Sequence, residues 1–355
     1  MRIVVVGATG NLGTALLREI AARSSVTSVD AISRRGPGRL PAPSGVVQIR
    51  DHELDLDSGP DSAAASALAE LARGADAVVH LAWAAGRNAR EVTASNKAIS
   101  RNVAAAAAGA RQFVVGSCAS VYAASFGQTP QGEDWPASGI EGSSLSQDKV
   151  GLEQLAAEFA RRHPGVVVTR IRPAVALQES IGAELVRRFV GPLMPRYGLG
   201  GSVPLLLWPE GLGLQVVHSQ DVAATILAAV ERRAPGAYNV AAPEILDADD
   251  VADALGAKRV VEISRTAARL GHEAAWRTHL LRARPDWLIT LSAAPVLDTS
   301  RTRDLLGVVP QWSGHDTLAV AARGVAIRRE GWTPALSRSR EPRPVRPEDS
   351  DSSQD

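Results

Sequence analysis

The chain begins Met1-Arg-Ile-Val-Val-Val-Gly7-Ala-Thr-Gly10-Asn-Leu-Gly13, and this stretch decides the fold. Residues 3–6 are apolar and β-branched, which is typical of a buried strand. Residues 11–23 carry apolar side chains at helical spacing, so a helix follows the glycines directly. A strand, a glycine turn and a helix in this order predict a dinucleotide-binding turn. Gly7 permits the tight turn, Gly10 lets the backbone approach a diphosphate, and Gly13 lets the helix pack on the strand.

Strands and helices alternate beyond this opening. Further strands are predicted at 26–32, 46–49, 77–81, 112–117 and 166–171, and helices at 61–73, 94–109 and 146–162. Glycines and prolines crowd residues 191–213, which are interpreted as loop and short elements. A helix at 219–233 and a strand at 237–240 follow. Strands separated by helices of this length indicate a parallel sheet covered on both faces. The predicted fold class is therefore α/β, a Rossmann-type doubly wound parallel sheet with a smaller C-terminal substrate lobe.

The same pattern predicts how the chain is divided. Residues 1–173 plus 214–240 form the nucleotide-binding domain, and residues 174–213 plus 241–333 form the substrate-binding lobe. Residues 334–355 are predicted to be a disordered tail, because almost nothing apolar follows Ser337.

Composition excludes several classes of function. The chain has 355 residues, is 45% hydrophobic and carries a formal net charge of +1, so it lacks the strongly basic balance of a nucleic-acid-binding protein. Cys118 is its one cysteine, which excludes an intramolecular disulfide and a cysteine zinc site, and no metal site is predicted. No apolar run reaches the ~18 residues that cross a bilayer, and the first strand leaves no room for a signal peptide. These features predict a cytoplasmic protein with a small-molecule substrate and no nucleic-acid or membrane partner; a homodimer is left open.

Further motifs follow one another in a specific order. They are Asp55-Leu56, Gly74-Ala-Asp-Ala-Val-Val-His80-Leu-Ala-Trp83, Asn96, Phe113-Val-Val-Gly-Ser117-Cys-Ala-Ser-Val-Tyr122, Thr169-Arg-Ile-Arg172-Pro173 and Val217-His218-Ser-Gln-Asp221. With these motifs the sequence resembles the extended short-chain dehydrogenase/reductases, the NAD-dependent epimerase/dehydratase family. The resemblance runs from residue 3 to about residue 228, and a weaker match at Leu297-Asp-Thr-Ser-Arg301 extends it to about residue 313.

The resemblance implies a site for a nicotinamide dinucleotide. In the family, the segment that matches Asp55-Leu56 lines the adenine, the segment that matches Leu81-Ala82-Trp83 covers the adenosine–diphosphate side, and the asparagine that matches Asn96 lies near the ribose. The implied cofactor-binding residues are Gly7, Thr9, Gly10, Asn11, Leu12, Gly13, Ser33, Arg34, Arg35, Asp55, Leu56, Leu81, Ala82, Trp83, Asn96, Lys149 and Pro173. His80 and His218 are interpreted as structural or left unassigned.

The choice between NAD and NADP depends on the end of the second strand, Asp30-Ala-Ile-Ser33-Arg34-Arg35. A carboxylate there hydrogen-bonds the ribose hydroxyls of NAD, whereas an arginine pairs with the 2′-phosphate of NADP. In the resemblance, the carboxylate position falls on Ser33, and Asp30 lies too early in the strand to reach. Two adjacent arginines are also typical of a solvated surface. The sequence favours NADP over NAD.

The proton-transfer pair of the family is Tyr-x-x-x-Lys, and this chain has none. Its lysines are Lys97, Lys149 and Lys258, and four residues before them stand Thr93, Leu145 and Ala254. The resemblance makes Lys149 the lysine that binds the nicotinamide ribose and puts Leu145 in place of the tyrosine. Residues 145 and 149 share one face of a helix, so Leu145 is expected where the phenol would be.

A leucine exchanges no proton, and a positioned proton-transfer group typically contributes ~10²–10⁴-fold to a rate. Cys118 occupies the position of the family's serine or threonine, with Ser117 before it. The candidate catalytic residues are Lys149, Cys118, Ser117 and Tyr122. Tyr122 also has a structural interpretation, because it occurs in family members that keep the catalytic tyrosine. Other candidate substitutes are water and three serines of the adjoining loop, Ser143, Ser144 and Ser146.

Three functions fit this pattern. The first is an oxidoreductase, epimerase or dehydratase that acts on a small carbonyl or hydroxylated metabolite with a modified proton-transfer site. The second is a non-redox enzyme on the same scaffold. The third is a catalytically silent NADP-binding sensor or scaffold protein. The length of the predicted substrate lobe favours an enzyme, and no motif identifies the substrate.

Overall fold

The computed structural model describes residues 1–36, 47–84, 86, 88–189 and 204–336, apart from the side chain of Arg188. Its strands, in chain order, are β1 (Arg2–Val6), β2 (Ser28–Ser33), β3 (Gln48–Glu53), β4 (Ala77–His80), β5 (Gln112–Gly116), β6 (Val167–Pro173), β7 (Val175–Leu177), β8 (Leu206–Pro209), β9 (Val216–His218), β10 (Gly236–Val240) and β11 (Val260–Ile263). Its helices are α1 (Asn11–Ala21), α2 (Ala63–Ala72), α3 (Ala89–Ala107), α4 (Ser144–Arg162), α5 (Gly182–Phe189), α6 (Ser219–Glu231), α7 (Ala248–Leu255), α8 (Arg265–Arg277), α9 (Asp286–Ala293), α10 (Ser300–Leu306) and α11 (Gly314–Ala326).

Seven strands form one parallel sheet in the order β10-β6-β5-β4-β1-β2-β3. The chain winds outward in one direction from β1 to β3 and in the other from β4 onward, so the strand order reverses between β1 and β4. In open α/β sheets, ligands bind outside the carboxyl ends of the strands at such a reversal. The sheet confirms the predicted Rossmann-type fold, and it places the candidate site after β1 and β4.

The sheet is buried because helices cover both of its faces. On one face, α1 packs against α6 around a core that includes Leu17 and Ile226; on the other, α2, α3 and α4 pack around Leu68 and Phe113. The central strands β1, β4 and β5 are apolar except at their first or last residue, because a strand between two helix layers has no solvent-facing side. Most predicted elements appear, with shifted ends. The third strand spans Gln48–Glu53 instead of 46–49, and the helix predicted at 94–109 begins at Ala89.

The chain outside the large sheet forms two small parallel sheets, β7 with β9 and β8 with β11. Residues 191–213 were expected to form loop and short elements. Residues 190–203 lie outside the described residues, and Leu206–Pro209 is a strand. The strand was missed because four residues carry no clear period and its partner, Val260–Ile263, is far away in the sequence. The predicted division into a nucleotide-binding domain and a substrate lobe stays a prediction.

The start of the predicted tail needs a correction. Residues 334–336 were assigned to it, but Leu336 is fully buried in a cluster with Leu246 and Leu318. The Gly331 amide donates to the Leu336 carbonyl, and Arg187 donates to Ala335. One apolar side chain at the edge of a polar segment is enough to hold three residues against the core. The rest of the predicted tail, 337–355, lies outside the described residues.

None of the helices in the described ranges is long and apolar enough to cross a membrane.

Candidate functional site

The glycine turn lies between β1 and α1 at the strand-order reversal. The amides of Gly7 and Ala8 both donate to the Ile32 carbonyl, at 2.9 and 3.1 Å, which ties the turn to the end of β2. Gly7 has φ +92°, a conformation that favours glycine. Gly10 is the N-cap of α1, and no side chain caps this helix end. The first turn of α1 therefore presents uncapped N–H groups and its positive dipole end, which suit an anion.

The three motif glycines differ in what a side chain would meet. A Cβ on Gly7 would lie 2.4 Å from the Ala82 nitrogen, and one on Gly13 would lie 2.2 Å from the Gly7 carbonyl oxygen. Both glycines are therefore required by internal packing. A Cβ on Gly10 would meet only the Gly7 oxygen, at an ordinary 3.5 Å. Packing within the protein does not explain the glycine at position 10, whereas a ligand against the backbone there would.

Ser33 ends β2 beside this turn. It is buried, and its hydroxyl has no hydrogen-bond partner among the described residues, so a ligand hydroxyl would satisfy it. Arg34 and Arg35 follow, and both are exposed. Asp30 is committed elsewhere, because its buried carboxylate pairs with Arg50 at 3.2 Å, His52 at 3.0 Å and Arg2 at 3.5 Å.

The segments that follow β3 and β4 line the same end of the sheet. Leu56 is buried and Asp55 is exposed, and Asn102 holds this turn by donating to the Leu56 carbonyl at 3.0 Å. After β4, the Leu81 amide donates to Val6 at 2.8 Å, which holds Leu81 against β1. Ala82 and Trp83 continue from it and are partly buried.

Two predicted contact residues use their side chains inside the protein. The Asn96 oxygen accepts from the Ala84 amide at 2.7 Å, so Asn96 shapes the loop after β4. The Asn11 side chain donates to Ala176 at 2.9 Å and accepts from Gln178 at 2.8 Å. Asn11 therefore has only its backbone amide left for a ligand, whereas Asn96 acts through the loop that it holds.

Three further residues that the resemblance implied are Thr9, Leu12 and Pro173. The Thr9 carbonyl accepts from the Thr333 hydroxyl at 2.7 Å, so the end of the described chain braces the glycine turn. Leu12 is partly buried against the core beneath α1. Pro173 is buried at the end of β6, where it pairs in register with Val240.

Lys149 lies on α4 and is buried. Its Nζ donates to the Gly116 carbonyl at 2.8 Å and sits 3.6 Å from the centre of the Trp83 ring. The lysine thus joins the ends of β4 and β5. Burial lowers the pKa of Lys149 to about 8, although Cys118, Glu153 and Asp148 act in the opposite direction.

Cys118 and Ser117 follow β5. Cys118 is partly buried, and its Sγ lies 2.9 Å from the Ser120 hydroxyl. Ser117 is buried, and its amide donates to the Ile171 carbonyl at 2.8 Å. Its hydroxyl makes no hydrogen bond among the described residues, although its proximity to Glu153 helps to lower the pKa of that carboxyl.

Tyr122 belongs to a buried polar network. Its hydroxyl donates to the Asn239 side chain at 2.6 Å and accepts from Arg172 Nη1 at 2.8 Å. Burial raises its pKa, and the neighbouring Arg172 only partly offsets this. Arg172 in turn makes a two-pronged ion pair with Glu153, at 2.8 and 2.5 Å. Neither Glu153 nor this pair was expected from the sequence, since an arginine and a glutamate 19 residues apart on a strand and a helix carry no local signal.

The serines around the start of α4 are also engaged. The Ser146 hydroxyl donates to the Ser120 carbonyl at 2.6 Å, and the Ser144 hydroxyl donates to Asp286 at 2.6 Å. Ser143 caps the helix and pairs with Thr290 at 2.6 Å. Leu145, in the same turn, is partly buried and brings no polar atom on its side chain. The contacts from α9, through Asp286 and Thr290, could not be predicted because nothing near Ser144 in the sequence points to a residue 142 positions away.

His80 ends β4 fully buried, with its Nε2 3.0 Å from the Ser100 hydroxyl. Burial, helped by the charge of Lys149, lowers its pKa from 6.5 to about 3. Between these two values the unfolded chain binds a proton that the folded chain does not, so stability falls as the pH drops below 6.5.

We expect His80 to contribute about 1.4 kcal/mol per pH unit to this loss. The variant His80→Asn, which does not titrate, should flatten the pH dependence of the free energy of unfolding by about 1 kcal/mol per unit. Urea unfolding at several pH values between 6.5 and 4.5 measures this pH dependence for wild type and variant. A residual slope is expected from His218, whose pKa burial lowers to about 4. An unchanged slope in the variant would contradict the buried neutral state of His80.

Taken together, an all-parallel sheet with a strand-order reversal, an uncapped glycine turn and an open Gly10 define a dinucleotide-binding protein of the Rossmann class. The model of the NAD dependent epimerase/dehydratase family matches residues 3–241. The chain belongs to this family.

Solved structures of similar fold carry sequences of low identity. A UDP-galactose 4-epimerase is 20% identical, with a TM-score of 0.62, over 92% of this chain and 99% of that one. A double mutant of DesIV, a dTDP-glucose 4,6-dehydratase from Streptomyces venezuelae with NAD bound, is 20% identical, with a TM-score of 0.67, over 95% and 100%. The human epimerase family protein SDR39U1 with NADPH is 21% identical, with a TM-score of 0.60, over 92% and 99%.

Among curated proteins, uncharacterised proteins of Mycobacterium tuberculosis and Mycobacterium bovis are 24% identical over 197 residues. The match covers 54% of this chain and 46% of theirs, so the chain spans about half the length of these relatives.

Proposed function

We propose that this protein binds NADP at the strand-order reversal and acts as an enzyme on a small carbonyl or hydroxylated metabolite. The open backbone at Gly10 carries the proposal, because it is the one motif glycine that internal packing does not require. The uncapped start of α1 would hold the diphosphate. The unpartnered Ser33 hydroxyl would meet the adenosine ribose, and Lys149 would meet the nicotinamide ribose.

The preference for NADP is supported by charge at the end of β2. Arg34 is exposed directly after Ser33, where a guanidinium would pair with a 2′-phosphate. The acidic residue of β2, Asp30, is buried in its ion pairs with Arg50 and His52. A carboxylate that would select the unphosphorylated ribose of NAD is therefore not offered by β2.

Arg34→Ala should remove the discrimination between the two cofactors. We expect wild type to bind NADPH at least tenfold more tightly than NADH, about 1.4 kcal/mol, and the variant to bind both with similar affinity. Calorimetric titration measures both dissociation constants. Arg161→Ala is the matched control, since it removes an exposed arginine near the end of α4 that is not among the implied cofactor-binding residues. Equal affinities in wild type would contradict the NADP assignment and leave dinucleotide binding intact.

The chemical part of the proposal depends on what the side chains after β5 and on α4 offer. A bound nicotinamide would supply or accept a hydride. Cys118 and Ser120 share a hydrogen bond at the end of β5 and would orient a substrate oxygen. Tyr122 we assign to structure, because its hydroxyl already serves Asn239 and Arg172.

A second candidate is a catalytically silent NADP-binding sensor or scaffold protein. The observation that favours it is the first turn of α4, where Leu145 replaces the family's tyrosine and the neighbouring serine hydroxyls are all engaged. The two small sheets, β7 with β9 and β8 with β11, and the helices α7 to α11 favour the enzyme. A protein that only binds a cofactor has no need of a substrate lobe.

One series of measurements tests these alternatives. Cofactor binding is measured first by calorimetry, and the loaded protein is then offered carbonyl compounds and sugar nucleotides. The sugar-nucleotide arm is chosen because similarly folded structures include a UDP-galactose 4-epimerase and a dTDP-glucose 4,6-dehydratase.

The outcomes separate the alternatives. Net oxidation or reduction of the nicotinamide supports an oxidoreductase. Product formed without net redox change supports an epimerase, a dehydratase or a non-redox enzyme. Cofactor binding without turnover supports the sensor. No cofactor binding would contradict the proposal. Light scattering on the same sample would report a homodimer.

A further inference from the structure

Lys149 is a buried cation that makes no ion pair with any of the described residues. Its Nζ contacts the Gly116 carbonyl oxygen at 2.8 Å and the face of Trp83 at 3.6 Å. A carbonyl and an indole ring stabilise an ammonium only in part, and taking a charge out of water costs far more when no opposite charge compensates it. The ammonium form of Lys149 is therefore much less stabilised by these contacts than it would be by a salt bridge, and the free amine is correspondingly favoured.

The charged groups on the elements around Lys149 are committed to other partners. On α4, Glu153 is held by Arg172, and Asp148 accepts from the Thr93 hydroxyl at 2.7 Å. Among the ion pairs of the described residues, none includes Lys149.

Two further titratable groups face Lys149. On β4, His80 is neutral, because its pKa is about 3. After β5, Cys118 acts to raise the pKa of Lys149, but burial is the larger effect and lowers this pKa to about 8. The lysine thus exchanges its proton near neutral pH.

Among the described residues, Lys149 and the unpartnered Ser117 hydroxyl are left over when the other candidate proton donors are accounted for, and an aliphatic hydroxyl is a far weaker acid than an ammonium. Leu145, one turn before Lys149 on α4, has no polar atom on its side chain. The hydroxyls of Ser144 and Ser146 donate to Asp286 and to the Ser120 carbonyl. The Tyr122 hydroxyl is buried between Asn239 and Arg172.

We propose that Lys149 is itself the proton-transfer group of this site and takes the place of the missing phenol. In the direction of reduction, an N–H bond of the ammonium breaks and an O–H bond forms on the substrate carbonyl oxygen, while a reduced nicotinamide delivers a hydride to the carbonyl carbon. The free amine that remains takes a proton from water. In oxidation, the amine accepts the hydroxyl proton. This inference rests on the proposed function for the cofactor.

The first test needs no substrate. With three lysines in the chain, protein labelled with ¹³Cε-lysine gives three NMR signals, and the variants Lys97→Arg, Lys149→Arg and Lys258→Arg assign them. We expect the Lys149 signal of the cofactor-free protein to titrate with a midpoint near pH 8. A midpoint above about 10, the ordinary range for lysine, would overturn the inference.

The second test separates binding from proton transfer. Lys149→Arg keeps a positive charge and hydrogen-bond donors, but a guanidinium gives up no proton at the pH of the assay. We expect the NADPH dissociation constant to stay within about threefold and turnover to fall at least ~100-fold. The pH–rate profile of wild type should change slope near pH 8 where Lys149 titrates, and the profile of Lys149→Arg should lack this change. Lys97→Arg, at an exposed position on α3, is the matched control and should leave both unchanged.

The outcomes are distinguishable from failure of the proposed function. If wild type binds no cofactor, the proposed function fails, and the NMR midpoint still reports on Lys149. If wild type binds the cofactor and Lys149→Arg keeps its turnover, the proton comes from another group and the inference is overturned. If wild type binds the cofactor and turns over none of the carbonyl or sugar-nucleotide substrates, no proton is transferred, and the inference is overturned as well.

Discussion

Replacing Arg172 by methionine should lower the free energy of unfolding by about 3–5 kcal/mol. The guanidinium is almost fully buried and makes two hydrogen bonds to the Glu153 carboxylate, at 2.8 and 2.5 Å. Burial raises the pKa of Glu153, but the bonds to Arg172 outweigh it and hold the pKa below its ordinary value. Without Arg172, the carboxylate would stay buried and uncompensated or take up a proton at a cost. Tyr122 would lose a hydrogen-bond donor as well.

Urea unfolding at pH 7 measures the loss. Arg170→Met is the matched control, because Arg170 approaches the same carboxylate only at 3.5 Å and is partly exposed. Its effect should stay below about 1 kcal/mol. The double variant Arg172→Met with Glu153→Leu should recover part of the stability, since it removes the unpaired charge. Similar losses for Arg170→Met and Arg172→Met would contradict the central role of the buried pair.

Alanine at two glycines of the turn should give opposite results. In Gly13→Ala, the new Cβ would lie 2.2 Å from the Gly7 carbonyl oxygen and 2.7 Å from the backbone of Ala8. These are backbone atoms of a buried turn and do not move aside easily, so we expect a loss of more than about 3 kcal/mol or no folded protein. In Gly10→Ala, the Cβ meets one atom at 3.5 Å, and the melting temperature should hardly change.

Cofactor binding separates the two variants further. Gly10→Ala should fold and yet bind NADPH at least tenfold more weakly, about 1.4 kcal/mol, because the methyl group would occupy the space that we assign to the diphosphate. Thermal unfolding and calorimetric titration on the same samples measure both properties. If Gly10→Ala folds and binds NADPH like wild type, the diphosphate does not lie against this backbone, and the proposed site is wrong.

The sequence by itself determined the class of fold and the location of the glycine turn. Both depend on local patterns: apolar β-branched runs such as 3–6, helical spacing such as that of Leu16 and Ile20, and glycines between them. These patterns reflect burial on one or both faces of an element, and burial is decided within a few residues. The absence of a tyrosine four residues before Lys149 could also be read directly from the sequence.

What the tertiary structure decided is which polar side chains are available. From sequence, the candidates for a substitute proton donor were Tyr122, water and the loop serines Ser143, Ser144 and Ser146, and Lys149 was assigned to the nicotinamide ribose. The structure places Tyr122 against Asn239 and Ser144 against Asp286, and it encloses Lys149 between Gly116 and Trp83. Each of these partners lies 33 to 142 positions away in the chain. Hydrogen-bond partners and burial at that separation are set by how sheet and helices pack, and no local pattern in the sequence records them.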